Sequence, residues 1–217
     1  FKCRGGLKIF TKNNKINVIS FNHINLTMHD TTKFIFFFLF LDKFLKKIYP
    51  FVANPHTEST TTGVITTRAY NEARAIIKKH VHARPGDILV PAGSGATGAI
   101  VLLQRLLGLK PQGKLAGGHS IPKRKRPVVF ITHLEHHSNH TTWLETIADV
   151  EVIKPGPNEQ FSIDNLKELI EKYRERKLKI AAVTAASNVT GIAAPYYEIA
   201  ELMHKHGGWC FIDFAAA

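Results

Sequence analysis

Cysteine is scarce in this sequence, which has only Cys3 and Cys210 in 217 residues. Two cysteines so far apart form no disulfide framework, so we expect an intracellular, cytoplasmic protein. A long apolar run is also missing. The run FIFFFLFL at 34–41 is far shorter than the ~20 residues that a spanning helix needs, and it lacks the small-residue cleavage site of a signal peptide. We therefore expect no membrane partner.

Acidic residues are also few, at 17 against 29 Lys and Arg, which gives a formal charge of +12. Most of that excess, +7, lies in residues 1–48, so the rest of the chain is unremarkable for an enzyme. The run KRKR at 123–126 is typical of a solvated loop between a helix and a strand. We therefore expect no nucleic-acid partner.

The order of apolar runs predicts an α/β fold from about residue 43 onward. Residues 1–33 show no clear period, and we interpret 1–42 as an atypical extension that is disordered or foreign to the fold. Strands that alternate with helices predict a mainly parallel sheet with helices on both faces, with ligands beyond the carboxyl ends of the strands. The predicted strands are 87–92, 127–132, 150–155, 178–186 and 209–214, and the predicted helices are 66–81, 97–109, 138–148, 162–177 and 196–207.

Three glycines in DILVPAGSGATGAI, Gly93, Gly95 and Gly98, give the spacing G-x-G-x-x-G between a predicted strand and a predicted helix. A nucleotide-binding Rossmann oxidoreductase would need an acidic residue about 20 positions further on, and the chain has none between Asp87 and Glu135. A lone phosphate fits better, bound by the amides around Gly95, Ala96 and Thr97 at a helix N-terminus. A purely structural turn is the alternative.

The loop THLEHHSNHTTW at 132–143 is rich in histidine. Zinc ligation is one interpretation, although no cysteine accompanies these side chains. Polar loop histidines are a second interpretation, and an imidazole stacked on a planar cofactor is a third. The histidines concerned are His133, His136, His137 and His140.

Two further loops carry polar groups that a planar cofactor would use. Asn188 in SNVTG could donate to a ring oxygen, although an Asx-turn would also explain it. Asp213 in CFIDF needs a partner because a buried lone carboxylate is costly, and either a protonated ring nitrogen or a structural ion pair would supply one. Pyridoxal phosphate needs all of these groups together: a phosphate site, a stacking partner, a donor to its phenolic oxygen and a carboxylate for its ring nitrogen.

The segments GSGATGAI, EHHSNHTTW, SNVTG and FIDFAAA occur in an order that resembles class V aminotransferases, the branch with cysteine desulfurases and selenocysteine lyases. The resemblance covers residues 43–217, including NPHTEST at 54–60 and the TTR segment at 66–68. It implies a partial large domain of a fold type I, aspartate-aminotransferase-like enzyme. It also implies pyridoxal phosphate as cofactor, an amino acid as substrate and a homodimer when full length.

The resemblance also implies roles for individual residues. Gly95, Ala96 and Thr97 would bind the phosphate. His136 would stack on the ring, with His137 as the fallback, and Asn188 would face the phenolic oxygen. Asp213 would pair with the ring nitrogen, which makes His136 and Asp213 the expected catalytic residues. Asn54 and His56 would border the substrate pocket.

Two departures from the family pattern limit the expected chemistry. Ala216 stands where the family has a glutamine, so one ring contact is missing and desulfurase activity is in doubt. The family's Schiff-base lysine, its substrate-binding arginine and the desulfurase's mobile cysteine lie further along family chains, and no lysine follows Asp213. We therefore expect an N-terminal fragment, inactive alone, of an enzyme of transamination, β-elimination or sulfur transfer. The alternative is a non-catalytic truncated product or binding module with the same fold.

Overall fold

The structure, a computed structural model, describes residues 31–93, 95–110 and 121–217, with residues 31–38 described by their backbone alone. The described residues form two compact units, of which the first ends at Leu89 and the second runs from Val90 to Ala217. Much of the predicted extension therefore lies outside the described residues. The predicted domain boundary after residue 42 stays a prediction.

The described part of the first unit contains two α-helices with a 3₁₀ turn and an irregular segment between them. α1 is Thr31–Ile48, a 3₁₀ turn follows at Tyr49–Phe51, and α2 is Thr61–His80. α2 begins where the Thr60 hydroxyl accepts a hydrogen bond from the Gly63 amide at 3.1 Å, which satisfies one of the free amides of the first turn. Among the described helices, none combines the length and the apolarity required to cross a lipid bilayer.

The prediction of a strand at residues 87–92 is wrong, because these residues are irregular. A strand needs a neighbour for its backbone groups, and no strand of the described residues pairs with this segment. A local turn occupies its start instead: the Arg84 amide donates to the Asp87 carboxylate at 2.7 Å, and the Asp87 amide donates to the Arg84 carbonyl at 3.0 Å. The apolar pattern of this segment is typical of a strand, but it does not show whether a second strand lies beside it.

The second unit contains a four-stranded sheet, counted over the described residues, in the order β2-β1-β3-β4, with all pairs parallel. Each connection between successive strands contains at least one helix, as parallel pairing requires. The strands are β1 Val128–Thr132, β2 Asp149–Ile153, β3 Lys179–Thr184 and β4 Trp209–Asp213, and the helices are α3 Gly95–Leu106, α4 Ser138–Leu144, α5 Ile163–Lys172 and α6 Tyr196–Lys205.

Alternate side chains of the strands pack against helices on opposite faces of the sheet, because successive residues of a strand point to opposite sides. On one face Phe130 packs with residues of α5 and α6, such as Leu166 and Ile199. On the other face Ile131 packs with residues of α3 and α4, such as Trp143. The predicted mainly parallel sheet with helices on both faces is confirmed.

Parallel pairing brings the carboxyl ends of the strands to one edge of the sheet. β1 ends at Thr132, β3 at Thr184 and β4 at Asp213, and Thr184 is in register with Asp213. The loops that leave these strands therefore begin side by side, which is where an open α/β sheet binds its ligands.

Candidate functional site

A pocket of about 300 Å³ lies at the carboxyl edge of the sheet in the second unit. The start of α3 and the loops after β1, β3 and β4 all contribute to its wall, so the predicted convergence of these loops on one site is found. The lining residues are Gly95, Ala96, Thr97, His136, Ser138, Thr184, Asn188, Asp213, Ala215 and Ala216.

The N-terminus of α3 forms one side of the pocket. Gly95 opens the helix with a φ of +71°, a left-handed conformation that glycine adopts without a steric penalty. Thr97, in the first turn, has an exposed side chain and lines the pocket. The first turn of a helix presents amide N–H groups at the positive end of its dipole, so this wall favours an anion.

His136, rather than the fallback His137, lines the pocket. The Nδ1 atom of His136 lies 2.6 Å from the Ser138 hydroxyl and accepts a hydrogen bond from the Ser138 amide at 3.2 Å. Because Nδ1 is an acceptor, the neutral ring carries its proton on Nε2. The backbone of His137 begins α4, where its carbonyl accepts from Thr141. The two adjacent histidines thus have different places, His136 in the pocket wall and His137 at the start of α4.

The remaining histidines of this loop do not converge on a metal. His133 places its Nε2 atom 2.8 Å from the carbonyl of Glu159. Across the described ranges, no group of three or more His, Cys, Asp or Glu side chains has an arrangement that could hold a metal ion. The zinc interpretation therefore has no support among these residues.

Asn188 lies in a tight turn that a neighbouring residue holds. The Ser187 hydroxyl accepts hydrogen bonds from the amides of Val189 and Thr190 at 3.2 and 3.3 Å, and the Gly191 amide donates to the Ser187 carbonyl at 3.0 Å. Gly191 has a φ of +70°, which the turn requires. The Ser187 hydroxyl thus accepts hydrogen bonds from this turn in place of the Asn188 side chain that an Asx-turn would use. The side chain of Asn188 is exposed and lines the pocket.

Asp213 ends β4 with a buried side chain that lines the pocket. Its Oδ1 atom accepts a hydrogen bond from the Ala215 amide at 2.9 Å. Burial raises the pKa of Asp213 above its ordinary value, while that hydrogen bond and the nearby His136 act in the opposite direction. A carboxylate in this position gains from a cationic partner, because burial disfavours its charge.

Glu135 is a residue of this site that the sequence patterns missed. Its Oε1 atom accepts from the Thr132 hydroxyl at 2.6 Å and from the Thr184 amide at 2.8 Å, and its Oε2 atom accepts from the Asn139 side chain at 2.7 Å. Burial raises the pKa of Glu135 to about 7, although these hydrogen bonds oppose the shift. The available signal was the polar spacing Thr132, Glu135, Asn139 directly after an apolar strand.

Three other predicted positions are placed as follows. Ala216, which stands where the resemblance has a glutamine, lines the pocket with its small side chain. Asn54 and His56 belong to the first unit, where the His56 ring lies edge-on to Tyr70 with centroids 5.5 Å apart. Their role beside a substrate stays a prediction.

A family model described as "Aminotransferase class-V" matches residues 40–217. A probable cysteine desulfurase of Halalkalibacterium halodurans is 30% identical over 167 residues, which are 75% of this chain and 37% of the relative. A cysteine desulfurase of Synechococcus elongatus is 29% identical over 167 residues, which are 75% of this chain and 24% of the relative. The chain thus spans well under half the length of these relatives.

Two solved structures share the fold. A cysteine desulfurase from Escherichia coli has a TM-score of 0.57 at 22% identity, over 80% of this chain and 41% of that one. A NifS-like protein from Rickettsia africae has a TM-score of 0.55 at 16% identity, over 80% of this chain and 43% of that one. The expected fold type I architecture is confirmed.

Proposed function

Because this chain belongs to the class-V aminotransferase family, we propose that its pocket binds pyridoxal phosphate and that the protein acts on an amino acid. The observation that carries the proposal is the convergence of four separate loops on one pocket of about 300 Å³. Each loop contributes a group that suits a different part of this cofactor.

The phosphate would bind at the start of α3. The amides of Gly95 and Thr97 and the Thr97 hydroxyl are donors at this helix N-terminus, and Ala96 lines the same wall. Donors and the helix dipole together favour a dianion here. The left-handed Gly95 also lets the backbone approach the phosphate closely, because no Cβ stands in the way.

The ring would be held by side chains on the other walls. Asp213 would pair with the protonated ring nitrogen, a partner that offsets the cost of its burial. His136, whose Nδ1 atom is held by Ser138, would pack against the ring face. Asn188 would donate from its side-chain amide to the phenolic oxygen, since Ser187 already holds the turn.

When bound, pyridoxal phosphate supplies an electron-accepting ring that stabilises negative charge at the α-carbon of an amino acid. Asp213 favours this role by keeping a proton on the ring nitrogen. Transamination, β-elimination and sulfur transfer all begin with this stabilisation, so the proposal covers the three reactions. The small Ala216 leaves the pocket without the glutamine contact of the family pattern, which distinguishes this wall from the desulfurase pattern.

Binding of pyridoxamine 5′-phosphate, measured by equilibrium dialysis, tests the proposal. This form of the cofactor has no aldehyde and cannot form imines with surface lysines, so binding reports on the pocket alone. We expect saturable binding that Asp213→Asn weakens by about tenfold or more, because the ring nitrogen loses a charge-assisted hydrogen bond. The matched change Asp164→Asn, at an exposed residue in the first turn of α5, should leave the affinity unchanged.

Two competing ligands complete the experiment. Inorganic phosphate should compete with pyridoxamine phosphate, because both need the start of α3. NADH should not compete at comparable concentrations, since the chain lacks the ribose-binding acid of a dinucleotide fold. Displacement by NADH, or equal affinities of the parent chain and Asp213→Asn, would count against pyridoxal phosphate.

A further inference from the structure

Glu135 connects three structural elements that meet at the pocket. It lies in the loop after β1 and accepts hydrogen bonds from Thr132 at the end of that strand. The amide of Thr184, at the end of β3, donates to the same carboxylate oxygen. The Asn139 side chain, in the first turn of α4, donates to the other oxygen.

The neighbours of these partners line the pocket. His136 directly follows Glu135, Ser138 directly precedes Asn139, and Thr184 is itself a lining residue. The Thr184 hydroxyl also donates to the Ala186 carbonyl at 2.7 Å, which leads into the turn that carries Asn188. The carboxylate therefore touches the backbone or side chains from which two walls of the pocket are built, the loop from β1 into α4 and the end of β3.

The donors around Glu135 are fixed in their direction. The backbone amides of Thr132 and Thr184 can only donate. Asn139 presents its Nδ2 atom because its Oδ1 atom already accepts from the Trp143 indole at 3.1 Å, and an indole N–H is a donor only. The cluster therefore needs an acceptor at both oxygens of residue 135, which a carboxylate provides and an amide does not.

We propose that Glu135 is a positioning residue, whose carboxylate fixes the loop after β1 to β3 and α4 and thereby holds His136 and Ser138 in the pocket wall. It acts through those residues and does not touch the ligand. The assignment of a cofactor to the pocket rests on the proposed function, whereas the positioning of His136 can be measured without any ligand.

The test exchanges the donor and the acceptor between two residues. Glu135→Gln alone points an amide nitrogen at the Asn139 amide nitrogen, so one buried donor loses its partner. The double change Glu135→Gln with Asn139→Asp restores a donor facing an acceptor and keeps an acceptor for Trp143, while it gives up the longer 3.3 Å bond to the Ala182 carbonyl. The matched control is Glu151→Gln. Glu151 is a carboxylate residue on β2 that accepts a hydrogen bond from Lys172 and does not line the pocket.

Each variant of the 217-residue chain is measured in two ways, without ligand and with pyridoxamine phosphate. Without ligand, the NMR resonances of the His136 ring and the exchange rate of the Thr184 amide report on the pocket wall. With pyridoxamine phosphate, we expect Glu135→Gln to weaken binding by about tenfold and the double change to recover affinity to within about threefold of the parent. Glu151→Gln should alter neither measurement.

The outcomes separate this proposal from the proposed function. A double variant as defective as Glu135→Gln, or a single change that leaves the His136 resonances and the Thr184 exchange rate as they are in the parent chain, would overturn the positioning role. If Glu135→Gln does not fold but the double variant does, the required match of donor and acceptor is supported. Failure of the parent chain to bind pyridoxamine phosphate would overturn the proposed function, while the ligand-free measurements still decide the role of Glu135.

Discussion

Burial of the Glu135 carboxylate disfavours its charge more than the surrounding donors favour it, and this links stability to pH. Burial raises the pKa of this residue from 4.5 to about 7 in the folded chain. Between these values the folded chain holds a proton that the unfolded chain has released, so the contribution of Glu135 to stability is fully present below about pH 4.5 and is lost as the pH rises through about 7. The loss amounts to about 3 kcal/mol of unfolding free energy.

Urea unfolding over this pH range, compared between the parent chain and Glu135→Gln, checks that prediction. The comparison uses the slope against pH, so a lower stability of the variant at every pH does not affect it. The groups that face Glu135 from neighbouring elements are Thr132, Thr184, Asn139 and the thiol of Cys210, whose own pKa burial raises to about 12. None of them titrates in the range, so equal slopes for the two chains would contradict the assignment.

The site residues differ in how far the sequence could predict them. His136 and Asn188 follow predicted strands that the structure contains, and Asp213 ends another, so the rule for parallel sheets was enough to bring these three to one edge. Gly95 lines the same pocket although the segment before it, residues 87–92, is irregular. Glu135 was missed because its function depends on the direction of its side chain, which turns toward Thr184, 49 positions away. A local pattern indicates that such an acid needs a partner but does not say which one.

At the level of elements, α5 has a capping bond that can be removed by one substitution. The Ser162 hydroxyl accepts a hydrogen bond from the Asn165 amide at 3.2 Å, as an N-cap side chain does. We expect Ser162→Ala to lower the free energy of unfolding by about 1 kcal/mol, because that amide loses its acceptor, while Ser162→Gly should cost only a few tenths of a kcal/mol. Urea unfolding measures both, and an alanine variant as stable as the parent would show that the cap contributes nothing.

The elements that the sequence predicted best are those with a clear period and a clear boundary. The strand predicted at 127–132 is found as Val128–Thr132, and the helix predicted at 196–207 is found as Tyr196–Lys205. The helix predicted at 138–148 ends already at Leu144, because the Ile147 amide donates to the Leu109 carbonyl, a long-range bond that no local pattern contains. The strand expected at 87–92 failed for a similar reason, since pairing is a property of two segments.

At the level of the whole molecule, the chain corresponds to a part of its relatives. It covers 37% of the Halalkalibacterium halodurans relative and 41% of the Escherichia coli structure. Binding of a cofactor in the pocket and turnover of an amino acid by the protein both belong to the proposed function. The homodimer implied by the resemblance stays a prediction, which sedimentation of the protein can check.

The two tryptophans of the sequence both lie in the second unit, Trp143 on α4 and Trp209 on β4. Their fluorescence therefore reports on unfolding of the unit that contains the pocket. A ligand that binds only the folded state adds about 2.7 kcal/mol at a concentration of 100 Kd, which should raise the Tm of this unit by on the order of 5–10 °C.

The same measurement connects affinity with stability across variants. At that ligand concentration, Asp213→Asn with a tenfold weaker affinity should retain about half of the added stability, roughly 1.4 kcal/mol, since the effect depends on the logarithm of the ratio of ligand to Kd. Asp164→Asn should retain all of it. A Tm that rises with pyridoxamine phosphate to the same extent in Asp213→Asn as in the parent would place the ligand elsewhere on the protein, and no rise in the parent would mean that the folded pocket does not hold it.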